Sequence, residues 1–412
     1  MRDSRGPRNR PLYTAAADGD WCNGSARVNA SVKLILGSYY LDVPGGAVTY
    51  FSTVADHLQR LGHDVTAFTR NPGPIADALG DRGIAVAGPG ELPDECDAVL
   101  VHDAICAYEL AERYPTAPQA FVCHGDQNTL DVPPQVPGVV SAIVVLNDRM
   151  RARVEAGGLD VEVVRLRQPI DFHRFRPAGE PRTPPRRAVL LGNYLDGARR
   201  ELIVGALERA GMEWEQIGHR GTVSPDPAPA LAEADVVVGY GRSILEGMSA
   251  GCAAYVFEFA DDGWVTRESY PALEANGFAG SAFERAADQT RLVRDLQAYD
   301  PAMGRTNREL VGEHHSAFDH ATELGRLLGR LAPRHTPADT RSEIARLVRL
   351  QWETQMRSAR FEAELLHMTR RAMAAEQQAQ ETAVELRDLR RERRYRLAHA
   401  LLYPVDRLRG RR

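Results

Sequence analysis

The chain has 412 residues, of which 43% are hydrophobic and 26% charged, so we expect two or three domains with at least one large core and not a disordered chain. The net charge of −5 and a pI near 6.2 argue against nucleic acid as a partner. The longest apolar stretches have strand length, which excludes a transmembrane helix, and no apolar region follows the basic start as a signal peptide requires.

The first half of the chain alternates between short apolar runs and amphipathic helices. Residues 1–30 lack any apolar period and are predicted to be a disordered N-terminal segment. Residues 31–176 then form a predicted Rossmann-like domain, because strand–helix alternation is typical of a parallel, doubly wound sheet. Its predicted elements are strands at 32–36, 63–68, 98–101, 119–123 and 142–146 and a helix at 47–61.

A second alternating block follows a proline-rich linker at 177–185. Residues 177–332 are predicted to be a C-terminal Rossmann-like domain. Its predicted elements are strands at 188–191, 214–217, 234–238 and 254–257, a helix at 199–210 and another that ends at 250. The predicted fold is therefore α/β, with two Rossmann-like domains facing a cleft.

The tail, residues 335–412, has a different composition. It contains 17 Arg and 11 acidic residues, and apolar residues recur in it every three or four positions. This pattern predicts a long amphipathic helix that is a candidate coiled coil for self-association. Residues 387–412 are the most basic part, with 10 Arg against 3 acidic residues. An alternative role for this end is peripheral contact with an anionic membrane face.

Two glycine-containing loops are candidates for binding an anion at a helix N-terminus. Gly45 and Gly46 close the loop after the first strand, where paired glycines allow close approach of a ligand; the alternative is a flexible turn. Residues 236–251 run from a buried strand through a glycine loop into a short helix. There, Gly241, Arg242 and Ser243 are candidates for holding a diphosphate.

Glu246 lies one turn further along the same helix, where its carboxylate is suited to accept hydrogen bonds from ribose hydroxyls. The alternative is a capping interaction with Ser243, three residues earlier. Lys33 is the only lysine of the chain, and it opens the first strand. This position is unsuited to Schiff-base or pyridoxal-phosphate chemistry, so an anion site here must use arginine and backbone N–H groups.

The chain resembles the GT-B glycosyltransferases of the retaining, family-four kind over roughly residues 32–330. The resemblance lies in five motifs, which follow one another along the chain in the same order as in the family. They are 44–46 (Pro-Gly-Gly) with 61–65 (Leu-Gly-His-Asp-Val), 124–125 (His-Gly), 168–177 (Gln-Pro-Ile-Asp through Arg-Phe-Arg-Pro), Gly192 with Arg199 and Arg200, and 241–251.

The resemblance implies transfer of a sugar from a nucleotide-sugar donor, with retention at the anomeric carbon. It implies that His124 contacts the donor sugar or the reacting centre, and that Arg199 or Arg200 holds the diphosphate beside Gly192. It also implies that a glycine-rich loop after the last strand approaches the donor sugar, which makes Asp262 and Gly263 candidate contacts. His124, Arg199 and Glu246 are the predicted catalytic residues.

No metal and no other cofactor is expected, since Arg and a helix N-terminus can stabilise the leaving diphosphate. The D-x-D motif of metal-dependent glycosyltransferases occurs only at 18–20, in the predicted disordered segment. The acceptor class implied is an envelope polysaccharide, a lipid-linked carbohydrate or a small molecule. The five cysteines form no C-x-x-C pair, which is typical of reduced thiols in a cytoplasmic protein.

Two alternatives to a glycosyltransferase stay open. Family members typically carry a glutamate eight positions before Glu246, and Val238 stands there instead. This favours, as the alternative function, a GT-B-shaped binding or scaffold protein with weak or no turnover. A GT-B sugar-nucleotide epimerase would interconvert donors without any acceptor.

Overall fold

The computed structural model describes residues 31–125, 130–193, 195–218, 221–222, 224, 226–257, 260–283, 285–333, 335–336 and 338–409. The predicted disordered segment 1–30 lies outside these residues. The chain divides into two compact units, Met1–Ala345 and Arg346–Arg412. The first unit contains two large sheets and one two-stranded sheet with their helices, and the second is part of one long helix.

The N-terminal sheet has seven parallel strands in the order β5-β3-β1-β6-β7-β8-β9. Its elements are β1 (Lys33–Gly37), β2 (Tyr40–Leu41), α1 (Gly46–Arg60), β3 (Asp64–Phe68), β4 (Asn71–Pro72), α2 (Pro74–Gly80), β5 (Ala85–Ala87), β6 (Ala98–Val101), α3 (Ala104–Arg113), β7 (Gln119–Cys123), β8 (Ala142–Val145), α4 (Asp148–Ala156) and β9 (Glu162–Arg165). β2 and β4 pair separately as a small parallel sheet within the loops after β1 and β3.

The C-terminal sheet has five strands in the order β11-β10-β12-β13-β14, of which only β14 is antiparallel. Its elements, with the helices that follow, are β10 (Arg187–Leu191), α5 (Gly197–Arg209), β11 (Glu213–Ile217), α6 (Ala228–Ala232), β12 (Val236–Gly239), α7 (Arg242–Ser249), β13 (Ala253–Phe257), β14 (Asp261–Trp264), α8 (Tyr270–Asn276), α9 (Gln289–Gln297), α10 (Ala302–His314) and α11 (Ala317–Arg330).

The predicted fold class is confirmed. Both ends of each predicted strand lie within two residues of the ends of an observed strand. The strands were predictable because β6, β7, β8 and β12 are buried on both faces and so consist of continuous apolar runs. The predicted linker between the domains lies between β9 and β10, which the chain joins without helix or strand. The predicted domain limits themselves stay predictions.

The last helix of the sheet-containing unit packs into the N-terminal core, although it follows the C-terminal sheet in sequence. Ala321, Leu324, Leu327 and Leu328 of α11 belong to the same core cluster as the apolar face of α1. The chain thus crosses between the domains twice, once after β9 and once before α11. This second crossing brings residues of the 315–320 segment next to α1.

The tail forms α12 (Ala338–Arg409), a single helix of 72 residues. This confirms the predicted long C-terminal helix. Among the described residues, no helix has an apolar stretch long enough to cross a bilayer. At about 1.5 Å per residue, a helix of this length extends for roughly 100 Å.

Gly247 allows α7 to pack closely on β12. A Cβ built at Gly247 would lie 2.6 Å from the Cβ of Val237 and would collide with a methyl group of that stiff, buried side chain. We expect Gly247→Ala to lower the free energy of unfolding by about 1–3 kcal/mol through overpacking. Gly80→Ala is the matched control, because a Cβ at Gly80, the last residue of α2, meets nothing within 4 Å. Urea unfolding of both variants measures the difference, and equal stabilities would contradict this packing.

Candidate functional site

The order of the strands reverses at one place in each sheet, and ligands of doubly wound folds bind in the crevice beyond the strand ends at such a place. In the N-terminal sheet the reversal lies between β1 and β6, and in the C-terminal sheet between β10 and β12. Gly45 and Gly46 follow β1, whereas Gly192 follows β10 and Gly241 follows β12. The sequence-predicted glycines are thus grouped at the two reversal points.

Arg242, the first residue of α7, links the two domains through its guanidinium. Its Nε donates to Glu246 Oε1 over 2.8 Å, and its Nη1 donates to the carbonyl of Pro169 over 2.7 Å. Its Nη2 reaches Thr53 Oγ1 of α1 at 3.3 Å. The Arg242 and Glu246 side chains are only 7% and 9% exposed. The structure therefore pairs Glu246 with Arg242, while the predicted capping alternative with Ser243 is not observed.

Two histidines meet at the carboxyl ends of neighbouring strands of the N-terminal sheet. His102 follows β6 and His124 follows β7, and His102 Nδ1 lies 2.9 Å from His124 Nε2. His102 is buried, and its Nε2 has no hydrogen-bond partner among the described residues. His124 is half-buried, which makes it the member of the pair that is accessible to a ligand.

Tyr50 of α1 connects this pair to a third histidine. Its ring centroid lies 4.9 Å from that of His124, and its hydroxyl lies 2.7 Å from His320 Nε2. His320 Nδ1 lies 2.8 Å from the carbonyl of Arg167, an acceptor only, so a neutral His320 carries its proton on Nδ1. Its Nε2 is then an acceptor, and the Tyr50 hydroxyl donates to it.

Burial keeps these groups uncharged. It lowers the pKa of His124 to about 3, and the positive charge of Arg242 is a further cause. Burial likewise lowers the pKa of His320 to about 4 and that of His102 well below its ordinary value. The pKa of Tyr50 is raised by burial. Near neutral pH, a set of neutral imidazole and phenol groups therefore lies close to the Arg242 cation.

The glycines at the two reversal points differ in the space around them. A Cβ at Gly45, Gly46 or Gly241 would meet nothing within 4 Å, so these backbones border open space. Gly241 has a φ of 57°, which favours glycine before α7. A Cβ at Gly192 would lie 3.2 Å from the ring of Tyr240, which covers the end of β10. Ser243, in the first turn of α7, is half-buried.

The two arginines predicted for the diphosphate both lie in the first turn of α5. Arg200 Nε donates to Gln216 Oε1 over 2.7 Å, and its guanidinium lies 5.0 Å from the ring centroid of Trp214. These contacts hold Arg200 on β11. Arg199 is half-buried in the same turn. Both arginines therefore stay candidates for the diphosphate, at the same end of α5.

Asp262 and Gly263 do not lie in a loop, as predicted, but in the antiparallel strand β14. Asp262 is fully buried, and its two carboxylate oxygens accept from the backbone N–H groups of Ala282 and Phe283, each over 2.9 Å. A Cβ at Gly263 would lie 3.4 Å from the guanidinium of Arg285. The carboxylate of Asp262 is thus an anchor for a neighbouring backbone segment, and the structure does not bring it to the two reversal points.

Sequence reasoning missed Tyr50, Thr53 and His320 as members of this site. Tyr50 stands four and eight residues before Val54 and Leu58, and this spacing was the available signal that it shares their buried face. No local signal pointed to His320, because its partners lie at 167 and 50 in the sequence. No group of three or more potential metal ligands occurs among the described residues.

Comparison with known proteins shows similarity at the level of structure. No protein-family model and no curated protein sequence matches the chain. Among solved structures, the chain is similar to HepE from Anabaena in complex with UDP and glucose (TM-score 0.54, 11% identity, 73% of this chain and 100% of that one). It is also similar to a glycosyltransferase from Rickettsia africae (TM-score 0.52, 13% identity, 73% and 100%).

A third similar structure is that of a TarM variant from S. aureus in complex with fondaparinux, alpha-GlcNAc-glycerol and UDP (TM-score 0.50, 10% identity, 72% and 99%). The chain has the GT-B fold of glycosyltransferases. The shared part covers nearly the whole of each of these proteins. At identities this low, the similarity establishes the architecture and not the activity.

The buried histidines give stability a pH dependence of known sign. His320 has a pKa of about 4 in the folded chain against 6.5 for the ordinary group, so the unfolded chain binds the extra proton first as the pH falls. The contribution of neutral His320 to the free energy of unfolding is complete above pH 6.5. It is lost between pH 6.5 and 4, by about 1.4 kcal/mol per pH unit. We expect His320→Gln to flatten the pH dependence of the unfolding free energy by that amount over this interval.

Urea unfolding at several pH values measures this slope. The control is His335→Gln, which removes an exposed histidine in place of the buried one. If His320→Gln had the wild-type slope, His320 would not be held neutral in the folded protein.

Proposed function

We propose that the chain is a glycosyltransferase that moves a sugar from a nucleotide-sugar donor to a carbohydrate, lipid-linked or small-molecule acceptor, with retention and without a metal ion. The observation that carries the proposal is the position of Arg242 and Glu246 on α7, at the reversal point of the C-terminal sheet and against α1 of the other domain.

The donor diphosphate would lie at the N-termini of α5 and α7. The dipoles of both helices favour an anion there, and the open space at Gly241 lets the backbone approach the phosphates. Arg242, together with Arg199 or Arg200, supplies the positive charge that a metal ion supplies in metal-dependent glycosyltransferases. As the glycosidic bond breaks, the leaving diphosphate gains charge, and these groups stabilise it.

Glu246 would take the ribose. Its carboxylate is held by Arg242 within α7, and its second oxygen accepts hydrogen bonds from the ribose hydroxyls. The HepE and TarM-variant structures contain UDP, so UDP-sugars are the first donors to test.

His124 would contact the donor sugar from the opposite domain. A neutral imidazole can donate to and accept from sugar hydroxyls without adding positive charge beside the anomeric carbon, and burial keeps His124 neutral. Tyr50 and His102 fix its ring from two sides. His124 is therefore proposed to position the sugar, and no proton transfer is assigned to it.

We expect diphosphate binding to depend on Arg242. Loss of a charge-assisted hydrogen bond costs about 1.5–3 kcal/mol, so Arg242→Gln should weaken UDP binding at least about tenfold. The affinity for uridine, which lacks the diphosphate, should change much less. Isothermal titration with EDTA present measures both ligands. Arg305→Gln, on an exposed side chain of α10, is the matched control and should bind UDP as the wild type does.

Equal weakening of UDP and uridine would place Arg242 outside the diphosphate site. If the wild type bound none of UDP, GDP, ADP and TDP, the proposal itself would be wrong.

We expect His124→Ala to separate turnover from donor binding. Release of nucleoside diphosphate from the preferred nucleotide-sugar should fall about a hundredfold, while the Kd for the free diphosphate should stay within about threefold. A coupled assay for the released diphosphate measures turnover, with EDTA present.

Wild-type binding without release from any nucleotide-sugar, with or without candidate acceptors, would favour a binding protein instead. Val238 is the feature that points that way, because it is fully buried in β12 and offers no polar group to the donor.

A further inference from the structure

Helix α12 exposes large apolar side chains over most of its length, which is unusual for a helix in water. The following are exposed by 44–70%: Leu347, Leu350, Phe361, Leu365, Leu366, Met368, Met373, Val384, Leu386, Leu389, Leu397 and Leu401. Most of this helix belongs to the second of the two units of the chain, Arg346–Arg412. The helix therefore has an apolar surface that needs a partner.

Part of this surface follows a heptad repeat. Starting at Phe361, alternate steps of four and three residues reach 365, 368, 372, 375, 379, 382, 386 and 389. Eight of these nine positions are apolar, and Thr382 is the exception. An apolar repeat sustained over four heptads is typical of a coiled coil. In this register Phe361 takes position d and Leu365 position a.

The charges beside this seam complement those of an identical helix. In a parallel coiled coil, each g residue faces the e residue five positions later on the partner. By sequence, the charged pairs of this kind between 357 and 390 are Arg357 with Glu362, 371 with 376 (Arg with Glu) and 385 with 390 (Glu with Arg). All three pairs are attractive and none is repulsive, so the sequence matches its own copy in parallel register.

We infer that residues 357–390 of α12 form a parallel, in-register, two-stranded coiled coil with a second copy of this chain. The seam side chains Phe361, Leu365, Met368, Leu386 and Leu389 are buried between the two helices in this dimer. Met373 and Val384 occupy positions b and f, away from the seam. The two groups are equally exposed on a single helix, so only pairing distinguishes them.

The first test is the mass of the full-length chain by sedimentation equilibrium. We expect about twice the chain mass of 45.4 kDa for the wild type. Leu365→Glu, which puts charge on the seam, should return the mass to that of one chain. Met373→Glu is the matched control, since Met373 is 65% exposed and Leu365 is 66% exposed on the same helix. It should stay dimeric.

A wild-type mass of one chain at micromolar concentration would overturn the dimer. The same holds if both variants dissociate equally or if neither does. A monomer that floats with vesicles of anionic lipid would show that the apolar face covers a membrane surface instead.

A charge exchange tests the register. Arg357→Glu alone places two carboxylates opposite each other across the helix pair, and Glu362→Arg alone places two guanidinium groups there. Each variant by itself should dimerise more weakly than the wild type. An equimolar mixture of the two variants should form heterodimers, because both cross-helix pairs are then attractive. One pair joins the two substituted positions, which have opposite charges, and the other joins native Glu362 to native Arg357. No recovery in the mixture would rule out this register.

The orientation is tested by oxidation of single-cysteine additions. Leu386→Cys puts a thiol at position a near one end of the seam, so a parallel in-register dimer brings the two thiols together. It should cross-link to a disulfide dimer, and Val384→Cys, on the outer face, should not. The unmodified chain controls for the native cysteines. Absence of the Leu386→Cys cross-link in a dimeric protein would mean antiparallel pairing.

Discussion

The guanidinium of Arg242 is the interaction on which the site depends. A buried charge is costly unless its hydrogen-bonding groups are used, and Arg242 distributes them between Glu246 in its own helix, the Pro169 carbonyl and Thr53 of the other domain. The same contacts fix the N-terminus of α7 and orient Glu246. Arg242 therefore joins the proposed diphosphate site to the contact between the two domains.

The N-terminal domain presents neutral groups to this cation. His102, His124, His320 and Tyr50 come from separate parts of the chain, and burial disfavours a charge on each of them. Since Arg242 also lowers the pKa of His124 and His320, the positive charge stays on one side of the crevice. This separation suits a donor whose charged diphosphate and neutral sugar lie at opposite ends.

The long helix α12 has a proposed role in self-association that is separate from the proposed donor site. We propose that its seam residues and flanking charges pair with a second helix, whereas the sheet-containing unit has its own apolar cores. Self-association through 357–390 would not require any residue of the proposed donor site. Ligand binding and dimerisation can therefore be disrupted separately, by variants such as Arg242→Gln and Leu365→Glu.

Local patterning was enough to predict the strands, the two Rossmann-like blocks and the long helix, because burial of both faces of a parallel sheet imposes apolar runs and a helix imposes a 3.6-residue period. It also led to the prediction that Arg242 and Glu246, four residues apart in one helix, bind the donor. It could not show that His320 meets Tyr50 or that Thr53 meets Arg242, since these pairs are separated by 270 and 189 residues. Those contacts arise from the return of α11 to the N-terminal core and from the packing of α7 against α1. The same limit explains Asp262, whose burial follows from pairing of β14 with β13, a contact that depends on the sheet and not on local sequence.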